Sequence, residues 1–213
     1  MKHQVHNLFI LDASGSMESI KRQTIASFNE LVQTAKGMEA QFPEQEHIVS
    51  LVSFSTLEMK THLWRQPVAE ARELTSADYQ PNGSTPLYDA MGYAINRLKG
   101  DLYGAGAHNV LVTVFTDGEE NSSREFSAGA IRALILELED QGWTFTYIGT
   151  GHDVAKASGG INIRISNSVS FDVSESGFKD MMARETSARM RYASKIRGKE
   201  DLKEDFYGEE GKK

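Results

Sequence analysis

Cysteine is absent from the 213 residues, which excludes both a disulfide framework and a thiolate metal site. Long apolar runs are missing too. No stretch approaches the roughly 18 residues of a membrane span. The apolar run in the N-terminal MKHQVHNLFILDAS is too short for a signal peptide and leads straight into a core strand. Basic charge is scarce: 23 Lys and Arg stand against 30 Asp and Glu, a net charge of −7, which argues against nucleic acid as a main partner. Several chemical signatures are also lacking. There is no G-x-x-x-x-G-K-[ST] loop and no G-x-S-x-G elbow. Gly149-Thr150-Gly151-His152 follows a strand but lacks the third glycine of a dinucleotide fingerprint. The six histidines show no metal-ligand spacing. These absences predict a cytoplasmic globular protein of one domain, without internal repeats.

What is present is an alternation of apolar strands and amphipathic helices. Leu8-Phe9-Ile10-Leu11, His47–Phe54 and Asn109–Phe115 are compact apolar runs of the kind that fill central parallel strands. Trp143–Ile148 and Ile161–Ile165 continue the series, and a more polar, alternating strand near Glu58–Trp64 suits a sheet edge. Helical stripes run through residues 18–36, from Leu87 to Leu98, from Ile131 to Leu138, and from Phe178 to about Ala193, with a short helix near Asp153–Ala157. Strands alternating with helices indicate an α/β fold, a parallel sheet covered on both faces.

Three oxygen-rich turns interrupt this pattern. The first strand breaks into Asp12-Ala13-Ser14-Gly15-Ser16, where three oxygen-bearing side chains at alternate positions can converge on a small hard cation. Gly83-Ser84-Thr85-Pro86-Leu87 precedes the second long helix, and Pro86 at its first position makes Thr85 the natural N-cap. Thr116-Asp117-Gly118 ends the most apolar strand. Each turn has a local explanation as a cap or tight turn. Together they place three sets of oxygens at strand carboxyl ends, where open α/β sheets bind ligands.

D-x-S-x-S after the first strand, the G-S-T-P-L turn and T-D-G after a later strand, in that order, resemble the von Willebrand factor A domain over roughly residues 5–190. The resemblance implies a doubly wound, mostly parallel six-stranded sheet with one short antiparallel edge strand and helices on both faces. It further implies a complete metal-ion-dependent adhesion site made of Asp12, Ser14, Ser16, Thr85 and Asp117, holding Mg²⁺ (or Mn²⁺ or Ca²⁺). In that family the hydroxyls ligate directly, while the aspartates often act through water. The implied function is non-enzymatic: a protein partner presenting Asp or Glu docks on the metal. Stand-alone bacterial members often serve multi-protein assemblies. Glu18, Tyr88, Glu119, Glu120 and Asn121 flank the metal positions and are candidates for partner choice.

Two alternatives belong beside this one. Asp12 as the nucleophile of a metal-dependent phosphohydrolase would call for a second Asp where Ser14 stands, and for a placed Lys that no position after the Thr85 turn supplies. A scaffold with a vestigial metal site is the other. The expected domain is 1–194, followed by a charged, mobile tail at 195–213. The closing helix and tail gather Arg184, Arg189, Arg191, Lys195, Arg197 and Lys199, read either as a solvated basic face or as a docking surface.

Overall fold

The computed structural model describes residues 2–150, 154–202 and 205–208. Its centre is β1 (His3–Asp12), which pairs in parallel with β2 (Gln45–Phe54) on one side and with β4 (His108–Thr116) on the other. β3 (Met59–Pro67) pairs antiparallel with β2 at one edge. β5 (Trp143–Gly149) and the three-residue β6 (Ser168–Ser170) complete the order β3-β2-β1-β4-β5-β6. This is the expected six-stranded, mostly parallel sheet with one antiparallel edge strand.

Helices cover both faces because β1 is apolar on both. Val5, Phe9 and Leu11 point to a layer made by α1 (Lys21–Gln41) and α5 (Glu175–Gly198), packing with Phe28, Leu31, Met181 and Met182. Leu8 and Ile10 point the other way, to α2 (Leu87–Asp101), α3 (Ala128–Glu139) and α4 (Val154–Gly160), with Met91, Ile95, Ile131 and Ile135. At about 25 cal/mol per Å² of apolar surface removed from water, these two layers are the main force holding the sheet. The antiparallel edge is blunted: β3 is irregular where it faces Val49–Val52, with Arg65 at φ 49° and Pro67 at its end.

Three expectations need correction. Ile161–Ile165 is not a strand. Its apolar alternation fits one, but Asn162 lies in the left-handed region at φ 68°, and Ile163 N–H donates to Ser158 O, 2.9 Å, so the segment curls under α4. The last strand follows at Ser168–Ser170. Thr85 is not an N-cap. α2 starts at Leu87, and its leading N–H groups are taken from another loop: Tyr88 N–H donates to Glu120 Oε2, 3.0 Å, and Asp89 N–H to Ser123 Oγ, 3.1 Å. The boundary at 194 falls inside α5, which runs to Gly198 and ends on Lys199 at φ 55°. Beyond it Phe206 and Tyr207 are buried, with Tyr207 Oη donating to Glu185 Oε2 at 2.6 Å. Gly151, His152 and Asp153, which belong to the expected turn and the start of the expected short helix, lie outside the described residues, as do Glu204, Glu209 and Glu210 of the tail.

Candidate metal centre

The carboxyl ends of β1 and β4 lie side by side, since Leu11 pairs with Phe115 as the two strands finish. Asp12, fully buried, therefore stands next to Thr116. Thr116 Oγ1 donates to Asp12 Oδ2 at 2.6 Å, and Ser14 N–H donates to Oδ1 at 2.7 Å. Tyr79 Oη, also buried, donates to the main-chain oxygen of Asp12. One turn further, Ser14 Oγ and Ser16 Oγ are 3.2 Å apart, and Ser16 Oγ donates to Asp117 Oδ1 at 2.7 Å. Residues a hundred positions apart thus share one rim.

Thr85 arrives on the third loop, which backbone bonds stitch to both others. Asn82 N–H donates to Ala13 O (2.8 Å) and Gly15 N–H to Gly83 O (2.9 Å). On the far side Thr85 N–H donates to Asn121 Oδ1 (2.9 Å), and Asn121 N–H returns to Thr85 O (3.2 Å). Thr85 Oγ1 lies beside the Asp117-Gly118 turn, 3.8 Å from where a Cβ on Gly118 would stand. The turn itself requires glycine at 83. Its φ is +82°, and a Cβ there would come within 2.6 Å of Thr56 Oγ1.

Electrostatically the rim brings two carboxylates, Asp12 and Asp117, together. Asp12 is desolvated by burial, which pushes its carboxyl up to about 6 despite the stabilising bonds from Thr116 and Ser14; the neighbouring Asp117 adds to the rise. Among the described residues no ion pair involves Asp12 or Asp117. Two carboxylates and three neutral hydroxyls with no protein cation form the donor set of a hard divalent ion, which takes oxygen ligands almost exclusively. The residues present therefore fit such an ion. With such an ion, Asp12 and Asp117 would supply the compensating charge, and Ser14, Ser16 and Thr85 uncharged oxygens.

The flanking residues divide. Glu120 works inward: its carboxylate accepts from Tyr88 N–H, Ser122 N–H, Ser123 N–H and Ser123 Oγ, and so holds the 118–123 loop against the start of α2. Asn121 positions Thr85. Glu18 and Glu119 remain exposed at the rim, joined by Leu57, 68% exposed, on the β2–β3 turn. Tyr79, Thr116 and the buttress role of Glu120 escape the sequence reading. Thr116 alone had a usable signal, since it precedes Asp117 at the end of the strand neighbouring β1.

The basic residues of α5 are largely spent on structure. Arg189, 1% exposed, binds Glu185, Thr113 and Asn7. Arg191 binds the carbonyls of Phe206 and Tyr207, and the Arg197 guanidinium sits over Phe42.

Comparison with known proteins agrees with this architecture. A family model, the von Willebrand factor type A domain, matches residues 8–184. Among solved structures, the proximal thread matrix protein 1 of the mussel byssus superposes with a TM-score of 0.56 at 14% identity, covering 90% of this chain and 46% of that one. The PilB minor pilin of Streptococcus sanguinis gives 0.56 at 14%, covering 90% and 62%. The pilus adhesin SpaC of Lactobacillus rhamnosus GG gives 0.64 at 11%, covering 90% and 30%. The chain spans less than two thirds of each of these proteins, and the likeness is one of fold. No curated protein matches it by sequence.

Proposed function

The chain belongs to the von Willebrand factor type A domain family, whose members are in general protein-interaction domains, and from that premise we propose that it is a divalent-metal-dependent protein-binding domain. Asp12, Ser14, Ser16, Thr85 and Asp117 form its metal-ion-dependent adhesion site, for Mg²⁺ or, alternatively, Mn²⁺ or Ca²⁺. A partner's Asp or Glu supplies the remaining anionic oxygen. The observation that carries this reading is the convergence of three separate loops on one rim, with Ser16 bonded to Asp117 and Asp12 buried without a counter-charge among the described residues.

When bound, the ion would supply an electrophilic centre whose charge Asp12 and Asp117 at most balance, since its hydroxyl ligands are neutral. The protein's part is to hold the oxygens in place. Thr116 and the Ser14 amide orient Asp12, Ser16 orients Asp117, and Asn121 fixes the backbone of Thr85. Partner carboxylates are favoured because an anionic oxygen is a stronger ligand for a hard cation than the neutral hydroxyls or water, and burying the contact strengthens it by excluding water.

A hydrolase reading gains nothing from the geometry. Asp12 is fully buried and both its oxygens already accept hydrogen bonds, so it presents no free nucleophile. A cytoplasmic setting is part of the same proposal. Among the described residues no helix is long and apolar enough to cross a membrane.

Affinity capture with wild type, with wild type plus chelator, and with Thr85→Ala tests the proposal. A specific partner retained only by metal-loaded wild type is expected. A partner held equally under all three conditions would mean that recognition does not pass through the metal.

A further inference from the structure

Two residue pairs at the rim end in glycine, Asn82-Gly83 and Asp117-Gly118. Both are sequences in which the glycine nitrogen can close a five-membered imide on the preceding side chain, because glycine has no Cβ to block the approach. The fold treats the two pairs in opposite ways. The Gly118 N–H is held by Thr116 Oγ1 at 3.1 Å, and the Asp117 carboxylate is engaged by Ser16 Oγ at 2.7 Å, so nitrogen and side chain are drawn apart. The Gly83 N–H instead donates to the Oδ1 of Asn82 itself, at 2.8 Å. The attacking nitrogen thus lies within hydrogen-bond reach of the carbonyl whose carbon it would attack, and its N–H polarises that carbonyl. Both residues are exposed to solvent, and no hydrogen bond among the described residues restrains the Asn82 amide nitrogen. Nor can the pair be relieved by substitution at 83, where the +82° φ and Thr56 demand glycine.

We propose that Asn82 is a site of self-modification, in which the Gly83 nitrogen converts it through a cyclic imide to an isoaspartyl residue and thereby loosens the rim that carries Thr85. The chemistry needs only water. The Gly83 nitrogen gives up its proton to solvent base and bonds to Asn82 Cγ; the Cγ–Nδ2 bond breaks and ammonia leaves with a proton. Water then opens the imide. Opening at Cγ gives aspartate. Opening at the main-chain carbonyl, the more electrophilic of the two, gives isoaspartate, with the chain now routed through Cβ. Water enters and ammonia departs, with no change in oxidation state.

The consequence for the rim rests on the metal-site reading above, whereas the modification does not. Asn82 N–H and Gly83 O bond Ala13 and Gly15, the residues on either side of Ser14. An isoaspartyl link inserts one extra backbone atom between those two bonds and three residues before Thr85. Both bonds cannot then keep their register, and metal affinity falls by about 10- to 100-fold, the usual cost of losing the groups that orient ligands.

The test ages the full chain in heavy-oxygen water at mildly alkaline pH, maps its peptides by mass, and titrates Mg²⁺ into fresh and aged protein. Asn82 is expected to take up heavy oxygen and split into two isomers at least about tenfold faster than Asn121 or Asn167, whose following serines carry a Cβ. Aged Asn82→Gln keeps both its amide and its affinity, while aged wild type loses affinity. Asn82 persisting while a free peptide spanning residues 79–87 converts would overturn the modification. Full conversion with Mg²⁺ affinity unchanged would overturn its effect on the rim. Fresh protein that binds no Mg²⁺ would refute the metal reading on which that effect rests, and the mass map would still decide the chemistry at Asn82.

Discussion

Thr85 stands immediately before Pro86 and α2 without capping that helix. A threonine before a Pro-led helix normally caps it, and removing such a cap costs about 1 kcal/mol. Here Glu120 and Ser123 bond the first amides of α2 instead. Thr85 is buried, so Thr85→Ala should cost the ordinary amount for a buried site, about 1 kcal/mol by urea denaturation in chelator, while weakening metal binding at least about tenfold. Unchanged metal affinity in the folded variant would return Thr85 to a structural role. The buried histidines give a second test at this scale. His6 and His47 are both held down to about 4, chiefly by burial; His108 and Arg65 add to the effect at His6, and Arg189 at His47. Between 6.5 and 4 the unfolded chain binds more protons at these sites, so their contribution is intact above 6.5 and lost as pH falls through that window. Asp12 acts in the opposite sense in metal-free protein, since its raised carboxyl lets the folded state bind the extra proton between 3.8 and about 6. His6→Leu should flatten the acid-side fall in the urea midpoint, and an unchanged profile would mean that His6 does not contribute.

At the scale of elements, α5 and the segment after it form one buried polar knot inside an otherwise apolar layer. Glu185 and Arg189, 0% and 1% exposed, pair at 2.8 Å, and Tyr207 from beyond the helix donates to the other oxygen of Glu185. Tyr207→Phe leaves that oxygen desolvated without its donor and should cost about 1–3 kcal/mol, read from chemical denaturation. A change near zero would mean that water replaces the phenol. Most elements of this fold were legible because their apolar spacing matches their structure: Leu8–Leu11, His47–Phe54 and Asn109–Phe115 all lie in strands. The failures have local physical causes. Ile161–Ile165 carries strand-like alternation, but one left-handed residue, Asn162, turns it under α4. The burial of Phe206 and Tyr207 depends on Glu185, Asn167 and Ser166 far along the chain, which no window around the tail reveals. The oxygen-rich turns at the strand ends were legible because turn residues are local features, and the resemblance to the family joined their five side chains into one candidate set. Tyr79 was not named, and Glu120 was named only as a flanking carboxylate, because their roles exist only once the loops meet.

Over the whole molecule, the apolar side chains of the two layers hold the sheet, and Ala13, Met17 and Tyr79 tie the first rim loop into one of them. None of the five candidate ligands is itself an apolar core residue: Asp12 and Asp117 lie at or just past the carboxyl ends of β1 and β4, and Thr85 on the loop before α2. Chelation should accordingly lower the melting temperature only by the mass-action amount for a ligand that binds the folded state, about 2.7 kcal/mol at a hundredfold excess over Kd. Far-UV circular dichroism should stay native, and unfolding on chelation would make the ion structural. The most direct test of the central claim is calorimetric titration of Mg²⁺ and Mn²⁺ into wild type and into Asp12→Asn, with folding of both checked beforehand. One site in wild type that is lost in the folded variant is the predicted result. Equal binding by the two proteins, or none by wild type, would contradict a metal centre built on Asp12.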